Sequence, residues 1–143
     1  MKRQPGTGKI RKGLLILAMS MVLGGIAVGT MMPNKWNNRI RAGVEETIEA
    51  AVPDILVPEN INAMVIGHFV MFALFALLLG ALFPGVRLYW IFCATLLAAG
   101  GSEFVQLFID GRSARLDDFL IDAAGAFAGT LLFSHLFPAG ATH

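Results

Sequence analysis

The chain has 143 residues, of which 56% are hydrophobic and 15% are charged, and its formal net charge is +1 at pH 7. A soluble domain usually carries about 25% charged residues, so this composition excludes an ordinary soluble domain. A net charge so near zero gives no support to nucleic-acid binding, and the single cysteine, Cys93, excludes an intrachain disulfide and a cysteine-based zinc site.

Four apolar segments are long enough to cross a bilayer as helices. A helix needs about 20 apolar residues to span a hydrocarbon core about 30 Å thick. We therefore predict an all-α fold, an integral membrane four-helix bundle with spans at residues 13–32, 61–83, 88–109 and 118–137. The predicted division of the chain is a basic N-terminus (1–12), the first span (13–32), an outer segment (33–60), a three-helix core (61–137) and a short tail (138–143).

The distribution of basic residues predicts the orientation. The positive-inside rule places the loops richest in Lys and Arg in the cytoplasm, and five basic residues without an acid precede the first span. We therefore predict N-in/C-in topology in the bacterial cytoplasmic (inner) membrane, with Arg87 in an inner loop. Arg112 and Arg115 then lie in an outer loop, against the rule, but the five N-terminal bases outnumber them.

The first span has an alternative interpretation as a cleaved signal peptide, because it combines a basic start with a following apolar stretch. Its apolar stretch is long for a signal peptide and no clean Ala-x-Ala site follows it. We therefore favour an uncleaved membrane anchor. Both interpretations leave the other three spans in the same orientation.

The outer segment carries helical periodicity of its own. Apolar residues recur every three or four positions, and Pro53 is placed to end or kink the helix. We expect an amphipathic helix that rests on the outer leaflet or caps the bundle, and a partner-binding helix is the alternative. The apolar positions are Trp36, Ile40, Val44, Ile48, Ala51 and Ile55.

Polar residues inside the later spans fall at similar depth. An ionisable side chain near the bilayer centre costs about 2.5–3.5 kcal/mol on insertion scales. His68 is seven residues after the start of its span at residue 61, and Glu103 is seven residues before Asp110, where its span reaches the outer surface. Seven residues correspond to roughly 10 Å at 1.5 Å per residue. Gln106 and Asp122 lie nearer the same ends, so four polar groups from three helices form one band under the outer surface.

Helical spacing indicates that this band faces the inside of the bundle. Glu103 and Gln106 are three residues apart and share a helix face. Asp122 shares a stripe with Gly125 and Gly129, whose small-xxx-small spacing favours close packing of membrane helices. The acids are therefore predicted to point toward the packing face.

Two arginines in the outer loop, Arg112 and Arg115, are the predicted charge partners of the acids Glu103, Asp117, Asp118 and Asp122. The guanidinium fork of Arg112 or Arg115 can bind a carboxylate with two hydrogen bonds. One interpretation is a closed polar network that fixes helix register. We favour the other, a polar pocket open to the outer face, with these ligand-binding candidates: His68, Glu103, Gln106, Arg112, Arg115, Asp117, Asp118 and Asp122.

His68 admits a structural role, proton transfer or ligand contact, and metal binding. One histidine without paired ligands gives little support to a metal, so we predict no metal and no cofactor. Catalysis is left open, with His68, Glu103 and Asp122 as the candidates for acid–base chemistry.

The stretch E-F-V-Q-L-F-I-D-G-R-S-A-R-L-D-D-F-L-I-D-A-A-G-A-F-A-G, residues 103–129, resembles the signature of the VanZ-like family of small membrane proteins. The resemblance covers residues 60–137, and His68 stands where the family has a histidine. Two departures are visible: Met64 and Val65 replace a frequent Asp-Lys pair, and Asp122 replaces an asparagine. The matching positions are Glu103, Gln106, Gly111, Arg112, Asp117, Asp118, Asp122, Gly125 and Gly129.

The resemblance implies a fold, a membrane location and a candidate site, together with a link to glycopeptide resistance, but it implies no reaction. We therefore favour a cell-envelope protein that binds an amphiphile or lipid-linked head group, with membrane lipid as its surroundings. An enzyme acting on an envelope lipid is the main alternative, although no serine or cysteine nucleophile motif is visible. A structural subunit and a component of an ion-coupled transporter are the remaining hypotheses.

Overall fold

The computed structural model of this chain describes residues 7–31, 39, 42–43, 46, 63–109 and 115–137. They form four helices: α1 (Thr7–Met31), α2 (Ala63–Leu82), α3 (Leu88–Gln106) and α4 (Leu116–Leu136). Each helix is long and apolar enough to cross a membrane. The predicted all-α fold is confirmed, and the chain is a multi-pass membrane protein. The predicted amphipathic helix of residues 33–60 lies, apart from four isolated positions, outside the described residues.

The helix ends differ from the predicted spans by a few residues. α1 begins at Thr7 rather than at residue 13, so it includes the exposed Lys9, Arg11 and Lys12. Lysine and arginine are good helix formers and keep their charged ends in water while the helix continues. A hydropathy criterion marks only the apolar part of such a helix and therefore places its start too late.

The end of α3 lies three residues before the predicted end of that span. α3 ends at Gln106, and the amides of Leu107, Phe108 and Ile109 donate to carbonyls three residues earlier. This tightening to i→i+3 bonds is common at helix termini. The apolar composition continues through Ile109, so composition alone does not show where the α-helix stops.

A tight turn joins α2 to α3, as Pro84-Gly85 predicts. The amide of Val86 donates to the carbonyl of Phe83 at 3.0 Å, and α3 then begins at Leu88. Tyr89 and Trp90 follow in the first turn of α3 and are largely exposed. Exposed Tyr and Trp near a helix end are typical of residues at a membrane–water interface, which places this turn at one face of the membrane.

α2 and α4 run parallel, and their backbones approach each other more closely than a Cβ atom at the contact would allow. A Cβ atom at Gly125 would collide with the carbonyl oxygen of Phe69, and a Cβ at Gly129 would collide with that of Ala73. Both partners advance by four residues, so the two backbones touch over one helical turn. Close approach of this kind is what small-xxx-small spacing permits. The surrounding core consists of Phe72, Phe75, Ala76, Ile91, Ala99, Ala126 and Phe133.

The N-terminal end of α1 and the C-terminal end of α4 lie on the same side of the bundle. The guanidinium carbon of Arg11 is 6.0 Å from the ring centroid of Phe137, within the range of a cation–π interaction. Chain ends on the same side of the bundle are expected when a chain crosses the membrane an even number of times. Which side faces the cytoplasm stays a prediction from the basic residues.

We expect both termini to be cytoplasmic. Green fluorescent protein fused to either end should fluoresce, and alkaline phosphatase fused to either end should be inactive, because phosphatase folds only after export. Alkaline phosphatase fused after residue 60 should be active and provides the control. Active phosphatase at both termini would show that the topology is the opposite of the predicted one.

Candidate functional site

The polar residues of the spans are buried in the bundle rather than exposed to lipid. Glu103 and Gln106 are buried on α3, and Asp122 is completely buried on α4. Thr95 and Ala99 lie on the same buried face of α3 as Glu103, as their helical spacing predicts. Because few polar atoms on these faces can reach water, their hydrogen bonds must be made within the protein or with a ligand.

His68 and Asp122 form a hydrogen bond between α2 and α4. His68 Nδ1–H donates to Asp122 Oδ1 at 2.9 Å, and the His68 side chain is 22% exposed whereas that of Asp122 is 0% exposed. His68 directly precedes Phe69, and Asp122 lies about one turn before Gly125. The backbone contact between Phe69 and Gly125 therefore holds the two functional side chains at hydrogen-bonding distance.

Glu103 connects the end of α3 to the start of α4. Its Oε2 accepts a hydrogen bond from the backbone N–H of Arg115 at 2.9 Å. Arg115 immediately precedes α4, so this bond fixes both ends of the outer loop. The other carboxyl oxygen, Glu103 Oε1, is buried and has no hydrogen-bond partner in the described part of the chain, and the same holds for Asp122 Oδ2.

His68, Glu103, Asp118 and Asp122 lie within electrostatic range of one another, and we call these four residues the acidic cluster. Asp118 is half-buried in the first turn of α4. The cluster contains three carboxyl groups and one histidine. Such a group is costly to desolvate unless charge on it is neutralised by protons or by a positive partner.

The Arg115 side chain pairs with Asp117, one of its predicted charge partners, and not with the buried acids Glu103 and Asp122. Its guanidinium Nη2 lies 3.4 Å from Asp117 Oδ2, and both side chains are largely exposed. An exposed pair avoids the cost of desolvating a guanidinium. Arg115 thus reaches Glu103 through its backbone, and Asp117 lies at the surface, outside the acidic cluster. Arg112 lies outside the described residues.

A half-open cavity of about 210 Å³ lies beside His68, between α1, α2 and α3. Its walls are mainly apolar, and its polar or small lining residues are Gly25, Gly29, Thr30, Gly67, His68 and Ser102. Asp122 lies directly behind His68, to which it is hydrogen-bonded. The cavity therefore offers an apolar space with one polar wall, which suits an amphiphile.

The contribution of α1 to this cavity was missed by the sequence analysis. Gly25 and Gly29 have the same small-xxx-small spacing that was recognised on α4, and this spacing was the available signal. Ser102 was also missed, because a serine within a span usually bonds its own helix. Its Oγ–H indeed donates to the carbonyl of Ala99 at 2.7 Å.

Chemically, the site can orient a polar group beside His68 and can accept or release a proton there. Within the described residues, no three His, Cys, Asp or Glu side chains converge as a group that could hold a metal ion. A few polar groups beside a mainly apolar cavity are the usual composition of a ligand site.

Comparison with known proteins gives one family match. The family model described as VanZ/LLP1 matches residues 13–137, which is most of the chain and includes α1 beyond its first turns, α2, α3 and α4. No curated protein and no solved structure shows significant similarity to the chain.

Proposed function

The chain belongs to the VanZ/LLP1 family, and from this premise we propose that it binds an amphiphile or lipid-linked molecule of the bacterial cell envelope. The polar head group lies beside His68, in the outer half of the cytoplasmic membrane. Lipoglycopeptides combine a polar head with an acyl chain, so binding of such a molecule is the proposed link to glycopeptide resistance.

The observation that carries this proposal is the cavity between α1, α2 and α3. Its volume of about 210 Å³ is below the ~300–1,000 Å³ of a site that encloses a drug-sized ligand. Because the cavity is half-open, a ligand can place its head group and the first part of its tail inside while the rest lies in lipid.

The remaining polar residues have supporting roles in this proposal. Glu103, Gln106 and Asp122 support the head-group site from behind His68. Arg112 and Arg115 belong to the outer loop and Asp117 to the first turn of α4, where they contact the parts of a large head group that extend beyond the membrane. Asp118 is half-buried in the same turn.

Filling the cavity is expected to abolish binding. Gly67 lines the cavity, and a Cβ at Gly67 meets no atom within 4 Å. Gly67→Leu should therefore fold normally while its side chain occupies ligand space. We expect an extract of bacterial envelope lipids to raise the Tm of the wild type in detergent by about 5 °C or more, and the shift should be lost in Gly67→Leu.

Gly101→Leu is the matched control. Gly101 also lies within a helix, and a Cβ added there meets no atom within 4 Å, but this residue is absent from the cavity walls. The Tm shift of Gly101→Leu should equal that of the wild type. An equal shift in Gly67→Leu and Gly101→Leu would contradict binding in this cavity.

A second function, hydrolysis or group transfer on an envelope lipid, is favoured by one observation. A carboxylate hydrogen-bonded behind a histidine orients the ring as a general base, and Asp122 stands in this relation to His68. Mass spectrometry of envelope lipids incubated with the protein distinguishes the two functions. A new lipid species that disappears in His68→Ala would establish the enzyme; bound lipid recovered unchanged supports binding alone.

A further inference from the structure

The hydrogen-bonding groups beside the cavity are mainly acceptors. Ser102 Oγ–H is donated to the carbonyl of Ala99, which leaves oxygen lone pairs on the cavity side chain. His68 Nδ1–H is donated to Asp122, so in the neutral ring Nε2 is an acceptor. A ligand that meets Ser102 and the neutral ring of His68 is matched by hydrogen-bond donors, while the hydroxyl of Thr30 can donate or accept.

Two buried carboxyl oxygens of the acidic cluster also lack donors. Among the described residues, Asp122 Oδ2 and Glu103 Oε1 have no hydrogen-bond partner, and the two residues are 0% and 7% exposed. Buried polar atoms are almost always hydrogen-bonded, and an unsatisfied one costs about 1–3 kcal/mol. Asp122 and Glu103 do not themselves line the cavity, but the acidic cluster to which they belong reaches it through His68 and favours a ligand rich in hydrogen-bond donors there.

The charges of the acidic cluster point to a positive ligand. Even with His68 protonated, three ionised carboxyl groups would leave the cluster with excess negative charge. Arg115 does not neutralise them, because its guanidinium is paired with Asp117 at the surface. An anionic head group would add to the excess, whereas a cation would offset it.

We propose that the head group recognised at His68 is a primary ammonium carried by a single-chain or lipid-linked amphiphile. This inference rests on the proposed function and specifies its ligand class. A primary ammonium has three N–H donors and no acceptor, which complements acceptors that lack donors. A quaternary ammonium supplies the charge without the N–H groups, and a phosphate supplies neither.

Four amphiphiles with the same dodecyl chain test this assignment: dodecylamine, dodecyltrimethylammonium, dodecanol and dodecyl phosphate. Each is titrated at pH 7 into the full-length protein in detergent micelles, and Tm is followed. We expect dodecylamine to bind at least about tenfold more tightly than the others, since charge-assisted hydrogen bonds are about twice as strong as neutral ones. Glu103→Gln and Asp122→Asn should each lose this preference.

Glu46→Gln is the control, because Glu46 is an exposed carboxyl in the outer segment and does not line the cavity. It should retain the preference for dodecylamine.

Circular dichroism and gel filtration establish whether each variant is folded. If Asp122→Asn does not fold, the test is made with Glu103→Gln. Equal binding of the phosphate, alcohol or quaternary amine would overturn the ammonium assignment while leaving amphiphile binding in place. If none of the four amphiphiles binds, both the ammonium assignment and the proposed amphiphile binding are overturned. Unchanged dodecylamine binding in a folded Glu103→Gln or Asp122→Asn variant would overturn the role of the acidic cluster.

Discussion

Gly129→Ala is expected to lower the free energy of unfolding by about 3 kcal/mol or more. The added methyl group would collide with the carbonyl oxygen of Ala73, and it would lie 2.8 Å from the carbonyl carbon and 2.9 Å from Cα of the same residue. Overpacking a core usually costs about 1–3 kcal/mol. The cost should reach or exceed the upper end here, because a backbone cannot rotate away as a side chain can, so α2 and α4 must separate.

Titration with sodium dodecyl sulfate in mixed micelles, followed by circular dichroism, measures this effect. Gly101→Ala is the control, since a Cβ there meets no atom within 4 Å; its unfolding free energy should change by no more than about 1 kcal/mol. Gly80→Ala should fall between the two, because its Cβ would lie 2.6 Å from the ring of Phe133, and a ring can shift. Unfolding of Gly129→Ala at the same detergent fraction as Gly101→Ala would refute close backbone packing.

The double variant Gly125→Ala/Gly129→Ala should cost less than the sum of the two single variants. Both methyl groups enter the same contact between α2 and α4, so the separation forced by one makes room for the other. Such coupling is expected between neighbouring sites that share one backbone shift.

Asp122→Ala is the second variant for which we expect a large loss of stability. Removing one partner of a buried pair typically costs about 3–5 kcal/mol, and Asp122 is fully buried and hydrogen-bonded to His68. We expect a loss near the lower end of that range, because His68 is partly exposed and can regain water. The same detergent titration measures it.

Asp122→Asn should differ sharply from Asp122→Ala. The amide oxygen can still accept the Nδ1–H of His68. The buried charge is removed, and one of its oxygens has no donor among the described residues. We therefore expect the unfolding free energy to stay within about 1 kcal/mol of the wild type. A loss as large for asparagine as for alanine would show that the charge itself stabilises the bundle.

The exposed carboxyl of Asp117 is the control for this pair of variants. Its only described ion pair is with the exposed side chain of Arg115, and exposed pairs contribute about 0–1 kcal/mol. Asp117→Ala should therefore leave the unfolding transition nearly unchanged. Equal losses for Asp117→Ala and Asp122→Ala would contradict the difference in burial.

The fold could be predicted from the sequence because lipid imposes a simple rule: an apolar segment of sufficient length must be helical to satisfy its backbone. The burial of Glu103, Gln106 and Asp122 followed from the cost of exposing polar groups to hydrocarbon. The partner of Glu103 could not be predicted in the same way, because it is a backbone N–H, and every residue except proline carries that group. The sequence therefore left four acids as possible partners of the Arg115 side chain, and its guanidinium pairs with the exposed one, Asp117.

A polar pocket was predicted, but the contribution of α1 to it was not, because most residues of α1 within the membrane are apolar and Thr30 alone does not mark a face. The spacing of Gly25 and Gly29 indicates a packing face without identifying its partner. In the structure a Cβ at Gly25 would meet the end of the Met71 side chain, and a Cβ at Gly29 would enter open space. Hydropathy identifies a span, but it does not specify which of its faces forms a binding site when every face is apolar.

The parallel contact of α2 with α4 has a thermodynamic consequence for recognition. His68 and Asp122 are preorganised by glycine positions within about one helical turn of them, so a ligand spends little of its binding free energy on immobilising either side chain. In the proposed binding mode, the entropy cost then falls mainly on the ligand. Selectivity among head groups would be set by the rigid pair of His68 and Asp122, and tolerance of different tails by the open space beside Gly29 on α1.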